Sequence, residues 1–361
     1  MTRVEGTERP WIPRSCVWEV TLACDSRCVH CGSAAGHART DELGTDEGLG
    51  IIKELGKLGC ESVTLSGGEP LTRPDWPILA GAIAEQGMRL ELISNGLRAE
   101  AQVDQLVAAD FFGITFSVDG PHRIHDRLRG VPGALERLLK AAVRLRSRNQ
   151  RVGAVTQVNR LNLHHLSEIH RLLVEHGFSG WQVQLTIPNG RARERSDELC
   201  LLPEALPELE AELVRLSRQG PLFVQAADNV GYMSPCEPIL RGGGRGSGGF
   251  FHGCQAGLSV VGITSHGKIR GCLSMPSSFD EGSLRERSLE QIWRDPKAFA
   301  YNRSFRPDAL QGACKDCPFG TLCRGGCRSL VWSTAADGNS GNRYCLTALR
   351  REPSRRPPMT M

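Results

Sequence analysis

Apolar and polar positions change their period six times between residues 15 and 185. Short runs rich in β-branched, apolar and aromatic residues at 16–21, 62–65, 89–93, 114–116, 152–157 and 181–185 read as strands. Longer amphipathic stretches, such as 45–58, 76–85, 134–146 and 166–175, read as the helices between them. Six strand–helix units in series predict an α/β fold with a parallel sheet, a partial (β/α)6 TIM-like barrel. Polar, glycine-containing motifs follow the strands: Cys24 to Cys31 after the first, Ser66–Pro70 (SGGEP) after the second, Ser94–Gly96 (SNG) after the third, Ser117–Gly120 (SVDG) after the fourth and Val158-Asn159 after the fifth. Because the carboxyl ends of barrel strands share one face, five motifs are expected to meet at one mouth.

After residue 190 the pattern changes. Residues 201–219 read as a Leu- and Glu-rich helix, 242–249 as a Gly-rich connection, and 254–345 as a cysteine-dense segment. The expected organisation is an N-terminal extension (1–14), the barrel (15–190), a helical and Gly-rich bridge (191–253), a cysteine-rich domain (254–346) and a basic tail (347–361) that includes Arg350, Arg351, Arg355 and Arg356.

Charge and composition narrow the function. A net charge of +4 spread over 361 residues, without a long basic run, argues against nucleic acid as a partner. No apolar stretch approaches the roughly 20 residues of a bilayer span, and the N-terminus lacks an apolar signal core, so a cytoplasmic protein is expected. In a reducing compartment 14 cysteines point to metal ligation rather than disulfides.

Cys24, Cys28 and Cys31 form CxxxCxxC in the loop that leaves the first strand. Three thiolates can hold a cubane cluster at three irons and leave the fourth iron open. Zinc is the alternative, although a closed zinc site needs four ligands. Cys16, Cys60 and Cys200 read as small buried residues. The triad, GGEP after the second strand and Ser-x-Asp-Gly after the fourth together resemble the radical S-adenosylmethionine superfamily over the first half of the chain, with His30 standing where that family usually has an aromatic residue. The resemblance implies that S-adenosylmethionine chelates the open iron of a [4Fe–4S] cluster and is split to a 5′-deoxyadenosyl radical. It also implies cofactor contacts from Gly67, Gly68 and Glu69 to the amino group, from Ser117 and Asp119 to the ribose or carboxylate, and from Asn95 nearby. Arg129, read as part of an HDRLRG turn, would pair with the cofactor carboxylate.

The C-terminal cysteines run Cys254-x12-Gly267-x4-Cys272, then Cys314-x2-Cys317-x5-Cys323-x3-Cys327, and finally Cys345. This order resembles the SPASM extension of radical enzymes that modify peptides and proteins. The resemblance implies two auxiliary iron–sulfur clusters, one on Cys254, Cys272 and Cys327, the other on Cys314, Cys317, Cys323 and Cys345. The first set is one thiolate short, because Val260 stands where some relatives place a further cysteine. An open iron, Cys236 or a non-cysteine side chain would complete it.

Two classes of function remain open at this stage. In the first, an enzyme oxidatively modifies a ribosomally made precursor peptide by forming a crosslink, a thioether or an oxidised residue, with formylglycine formation on a sulfatase as the nearest rival. It would draw electrons from a flavodoxin or ferredoxin. The barrel begins so near the N-terminus that leader recognition is expected from a separate protein, from the cavity or from residues 190–253; Trp11, Trp18 and Trp181 are candidates to line that cavity or to pack in the core. In the second, the cysteines bind zinc in a non-catalytic interaction protein. No catalytic acid or base is identifiable, and Asp280 and Glu281 read as solvated carboxylates.

Overall fold

The structure, a computed structural model, describes residues 11–242, 249–335 and 341–351. At its centre β1 (Ser15–Thr21) runs parallel to β2 (Ser62–Gly67), with Ser15 beside Ser62 and Trp18 beside Leu65. Outward from β2 follow β3 (Arg89–Ser94), β4 (Gly113–Ser117), β5 (Val152–Val158), β6 (Gly180–Leu185) and β7 (Phe223–Ala226), each parallel to its neighbour. The crossovers carry α1 (Thr45–Lys57), α2 (Trp76–Glu85), α3 (Val103–Ala108), α4 (His122–Arg129), α5 (Ala134–Ser147) and α6 (Leu166–Glu175). Two short turns of helix, α7 (Arg191–Glu194) and α8 (Ser196–Leu199), lead to α9 (Leu206–Ser217) ahead of β7.

Beyond the other edge of β1 the sheet continues. β8 (Val260–Ile263) lies parallel to β1, and β9 (Lys268–Arg270) and β10 (Gly282–Ser283) add antiparallel strands, giving ten strands in the order β10-β9-β8-β1-β2-β3-β4-β5-β6-β7. A sheet covered on both faces carries near-continuous apolar strands, and Trp18, Val20, Val63, Leu65 and Phe116 are fully buried. The apolar core does not stop at the end of the barrel. From Trp18 and Trp181 it runs through Ile263 and Ile269 to Trp293, Phe299 and Leu346. The cysteine-rich part is therefore built onto the barrel's first strand.

The structure departs from the sequence reading in three places. The segment after residue 190 supplies a seventh parallel strand; FVQA is too short to signal itself by alternation. Residues 122–129 are a helix and not a turn, with His125, Leu128 and Arg129 as its buried side. The stretch from 347, expected as tail, begins in a helix over Leu346–Arg351, and Arg350 forms an ion pair with the buried Glu210. Arg355, Arg356, residues 1–10 of the N-terminal extension and residues 243–248 of the Gly-rich connection lie outside the described residues. Trp18 and Trp181 are core residues, whereas Trp11 is 48% exposed and accepts a hydrogen bond at its carbonyl from Trp293 Nε1 (2.8 Å). Asp280 is paired with Arg270.

Because β8 joins the two parts through buried side chains, Ile263→Ala is expected to cost about 2–5 kcal/mol. Urea unfolding checks this: the midpoint falls while the slope stays unchanged.

Candidate functional site

The loop from Cys24 to Cys31 leaves β1 at the carboxyl end of the sheet and cannot satisfy its own backbone. Arg27 N and Val29 N donate to the carbonyls of Arg129 and Leu128 at the end of α4 (3.0 and 2.9 Å), and Cys24 N donates to Gly36 O (3.0 Å). Gly130 caps α4 in the left-handed region (φ 67°), where a Cβ would sit 2.8 Å from Arg27 O. From the other side Arg191 donates through Nε to Cys28 O (2.8 Å) and through Nη1 to Ala35 O (2.7 Å), while its own backbone N–H donates to Cys31 O (3.0 Å). The three thiols share one neighbourhood. The charge of Cys28 acts on Cys24, and that of Cys31 acts on Cys28. Burial pushes the Cys24 thiol up to about 12 and raises Cys28 as well, with the Arg129 guanidinium opposing the rise at Cys28. Thiolates at such positions need a cationic partner, which a bound iron would supply.

The SGGEP segment runs along this loop. Gly68 N and Glu69 N donate to Thr21 O and Ala23 O (2.8 and 2.7 Å). The two chains approach so closely that a Cβ on Gly68 would stand 2.2 Å from Ala23 O, and one on Gly67 2.3 Å from Thr21 O. The Glu69 side chain is fully buried. It accepts from Leu71 N (3.1 Å), Ser94 Oγ (2.9 Å) and Asn95 N (2.7 Å), yet burial still pushes its carboxyl up to about 7. Glu69 thus ties the second strand's motif to the third's. Asn95 completes the tie: its Nδ2 donates to Asp25 Oδ1 (2.8 Å) and Ser26 Oγ (3.0 Å) and faces Cys24 Sγ at 3.8 Å.

Asp119 and Arg129 are paired with each other. Asp119 is completely buried, its Oδ2 2.5 Å from Arg129 Nη2 and 3.0 Å from His30 Nε2, and its Oδ1 accepts from Gln157 N (2.9 Å). Burial alone would raise this carboxyl, but Arg129 and then His30 outweigh it and hold it well below the usual carboxylate range. The same guanidinium reaches Cys28 Sγ at 3.7 Å. His30, at the position where an aromatic residue was expected, is 1% exposed beside Asp119. His125 Nδ1 accepts from Asp119 N (3.2 Å); burial, aided by Arg129, depresses its imidazole to about 3 and keeps it neutral. Ser117, at the end of β4, is buried.

The C-terminal thiols fall into two groups. Cys254 and Cys272 both act electrostatically on Cys327, and Cys254 acts on Cys272. Cys314, Cys317, Cys323 and Cys345 line one small space together with Tyr232, Met233 and Phe319. Burial, then Cys345 and Cys314, pushes Cys323 up to about 12. Among the described residues no three His, Cys, Asp or Glu side chains converge closely enough for a single metal ion.

Comparison with known proteins fits this geometry. The family model described as Radical SAM superfamily matches residues 18–173, and that described as iron-sulfur cluster-binding domain (SPASM) matches residues 254–318. The chain is 30% identical to the AdoMet-dependent heme synthase of Methanosarcina barkeri over 92% of its own length and 96% of that protein's. It is 28% identical to the mycofactocin maturase MftC of Mycolicibacterium smegmatis, over 95% and 85% of the two chains. Streptococcus suis SuiB bound to S-adenosylmethionine shares the fold, with a TM-score of 0.74 at 18% identity over 93% of this chain and 77% of that one. An α/β enzyme that builds a thiol triad at the mouth of a parallel sheet and appends an iron–sulfur module is thereby defined: the chain belongs to the radical S-adenosylmethionine superfamily, with a C-terminal SPASM domain. Its cofactors are S-adenosylmethionine, a [4Fe–4S] cluster and the iron–sulfur centres of the SPASM domain.

Arg191 is the residue of this site that the sequence hides, since it follows an unremarkable PNG and its partners lie more than 150 positions away. Arg191→Ala removes two bonds from the loop, each worth about 1.5–3 kcal/mol for a charged donor. Iron release to a chelator should accelerate roughly tenfold or more. The neutral, buried His125 also predicts a pH response. Its folded value lies below the unfolded 6.5, so its contribution is complete above that pH and is lost as pH falls toward 3. Between pH 7.5 and 5.5 the wild type should lose about 1.4 kcal/mol more than His125→Phe, measured by denaturant unfolding at both pH values.

Proposed function

We propose that Cys24, Cys28 and Cys31 hold the [4Fe–4S] cluster that binds S-adenosylmethionine, and that the chain oxidatively modifies a ribosomally synthesised peptide. The observation that carries the first half is the convergence of the three thiols with the GGE and SNG turns at one end of the sheet. When bound, the cluster and cofactor supply an electron that splits the S–C5′ bond to a 5′-deoxyadenosyl radical able to take a hydrogen atom, and the auxiliary clusters accept the electron that completes a two-electron oxidation. Gly67, Gly68 and Glu69 shape the wall for the cofactor's amino end, Asn95 and Ser117 lie beside it, and Asp119 with Arg129 acts beneath the loop as a positioning pair. Because Arg129 already has Asp119 and Cys28 as partners, pairing with the cofactor carboxylate requires it to turn away from them. Cys254, Cys272 and Cys327 serve one auxiliary cluster, and Cys314, Cys317, Cys323 and Cys345 the other. In this reading the barrel spans 15–190, a bridge 191–253 and the auxiliary-cluster domain 254–346.

The mycofactocin maturase relative and the seven SPASM cysteines support a peptide substrate. A second reading, action on an iron porphyrin, is favoured by the heme synthase relative, whose length this chain matches almost fully. Electrons would come from a flavodoxin or ferredoxin, leader recognition from a separate protein, and the setting would be the cytoplasm. No helix among the described residues is long and apolar enough to cross a membrane.

Anaerobic reconstitution should give about twelve irons per chain, and replacing Cys24, Cys28 and Cys31 together by Ala should remove about four and drop 5′-deoxyadenosine to background. For the substrate, the wild type is incubated with S-adenosylmethionine, a reductant and either the peptide encoded beside its gene or iron-coproporphyrin. The peptide reading expects a mass change in the peptide alone; a mass change in the porphyrin alone replaces it with the second reading.

A further inference from the structure

Between Cys24 and Cys28 the loop alternates: Ser26 and Cys28 are buried, whereas Asp25 and Arg27 are exposed. The outward side chains therefore stand one peptide layer from the inward thiols. We propose that this outer side of the loop, ringed by Arg27, Arg98 and Arg137, is the docking surface for an acidic one-electron carrier protein that reduces the cluster on Cys24, Cys28 and Cys31, an inference that rests on the cluster reading above. In the step the carrier is oxidised by one electron and the cluster is reduced by one, and no bond of this chain forms or breaks.

The three arginines arrive from three elements. Arg27 belongs to the loop itself, and its guanidinium lies against Gly36, the residue whose carbonyl takes up Cys24 N; a Cβ on Gly36 would stand 2.8 Å from Arg27 Nη1. Arg98, in the turn after β3, donates through Nε to Asp25 Oδ2 (2.9 Å) and keeps 49% of its side chain exposed. Arg137, in the first turn of α5, is exposed and donates to the carbonyls of Pro132 and Gly133 (3.4 and 3.5 Å). Close contacts bring these elements together. A Cβ on Gly130 would stand 3.1 Å from Arg27 Cβ, and one on Gly96 2.8 Å from Leu138 Cγ, so the α4–α5 turn meets the loop and the SNG turn meets α5.

Positive charge is left over on this side. Asp25 answers one of the three arginines, Glu136 is paired with Lys140, and the Asp126 carboxylate is taken up by the amides of Gly133 and Leu135. Among the described residues no carboxylate pairs with Arg27 or Arg137. A surplus of exposed cations around a thin wall draws in and orients a partner of opposite charge. The surface over Cys314 and Cys317 offers a different chemistry, with the apolar side chains of Phe319 and Leu322 exposed.

The test mixes the full chain anaerobically with flavodoxin hydroquinone at low ionic strength. Freeze-quenched samples follow the growth of the electron paramagnetic resonance signal that S-adenosylmethionine shifts. Arg27→Glu with Arg137→Glu should slow that growth about tenfold or more, while dithionite still reduces the same amount of cluster. Raising the salt from about 0.01 M to about 1 M, where the screening length falls from about 30 to about 3 Å, should slow the wild type and close most of the gap. Arg27→Lys with Arg137→Lys keeps the charge and should stay within about twofold of the wild type. Equal rates for the wild type and the Glu pair at low salt would overturn the assignment, as would a Lys pair as slow as the Glu pair or a wild-type rate indifferent to salt. Should the Glu pair fail to hold iron, the salt dependence of the wild type decides alone. Failure of the underlying cluster reading is separate: dithionite would then produce no signal that responds to S-adenosylmethionine in any variant.

Discussion

A seven-residue step between Cys24 and Cys31 must present three thiols to one object while giving up most of its own backbone pairing, and the rest of the molecule is arranged to make that possible. Its amides are taken up by the end of α4, after β4, and its carbonyls by Arg191, just beyond β6. β4 and β6 lie three and five strands from β1 in the sheet, so the loop is held by elements from across it. The close contact between Gly67-Gly68 and the chain at 21–23 sets how near the second motif lies to the first.

Electrostatics follow from the same burial. Thiols at Cys24, Cys28, Cys272, Cys323, Cys327 and Cys345 are all pushed toward their protonated form by desolvation, so the metal-free site resists the charge state that ligation requires. Bound iron would remove that conflict. Beneath the first triad the conflict is already eased by protein: Arg129 is charged, Asp119 neutralises it, and the neutral His125 keeps the pair from acquiring a second cation. Glu69 is the opposite case, a carboxylate surrounded by three donors and no cation, which leaves its proton affinity high.

What the sequence made legible is chemistry with fixed spacing. CxxxCxxC, GGEP and the seven C-terminal cysteines are readable because their partners are local or their order is diagnostic, and the first six strands are readable because each is bounded by turn residues. β7 was not, since four residues carry too little alternation. α4 was not, because HRIHDRLR is mostly charged and its one apolar face is completed by a buried Arg129. The mutual pairing of Asp119 and Arg129 was not legible either, because it depends on a 2.5 Å contact no pattern records. Arg191 was invisible for a similar reason: it acts on groups brought close only by the folded sheet.

Relatedness to a heme synthase and to a mycofactocin maturase leaves the substrate to experiment, but both readings require the same first event at the same thiols. The most direct measurement is the electron paramagnetic resonance spectrum of the reduced enzyme with and without S-adenosylmethionine carrying a 15N label in its amino group. The account predicts that the cofactor shifts the signal of one cluster, that the label is seen coupled to it, and that Cys24, Cys28 and Cys31→Ala abolishes both effects. A spectrum that ignores the cofactor, or one that responds equally without those three thiols, would contradict it.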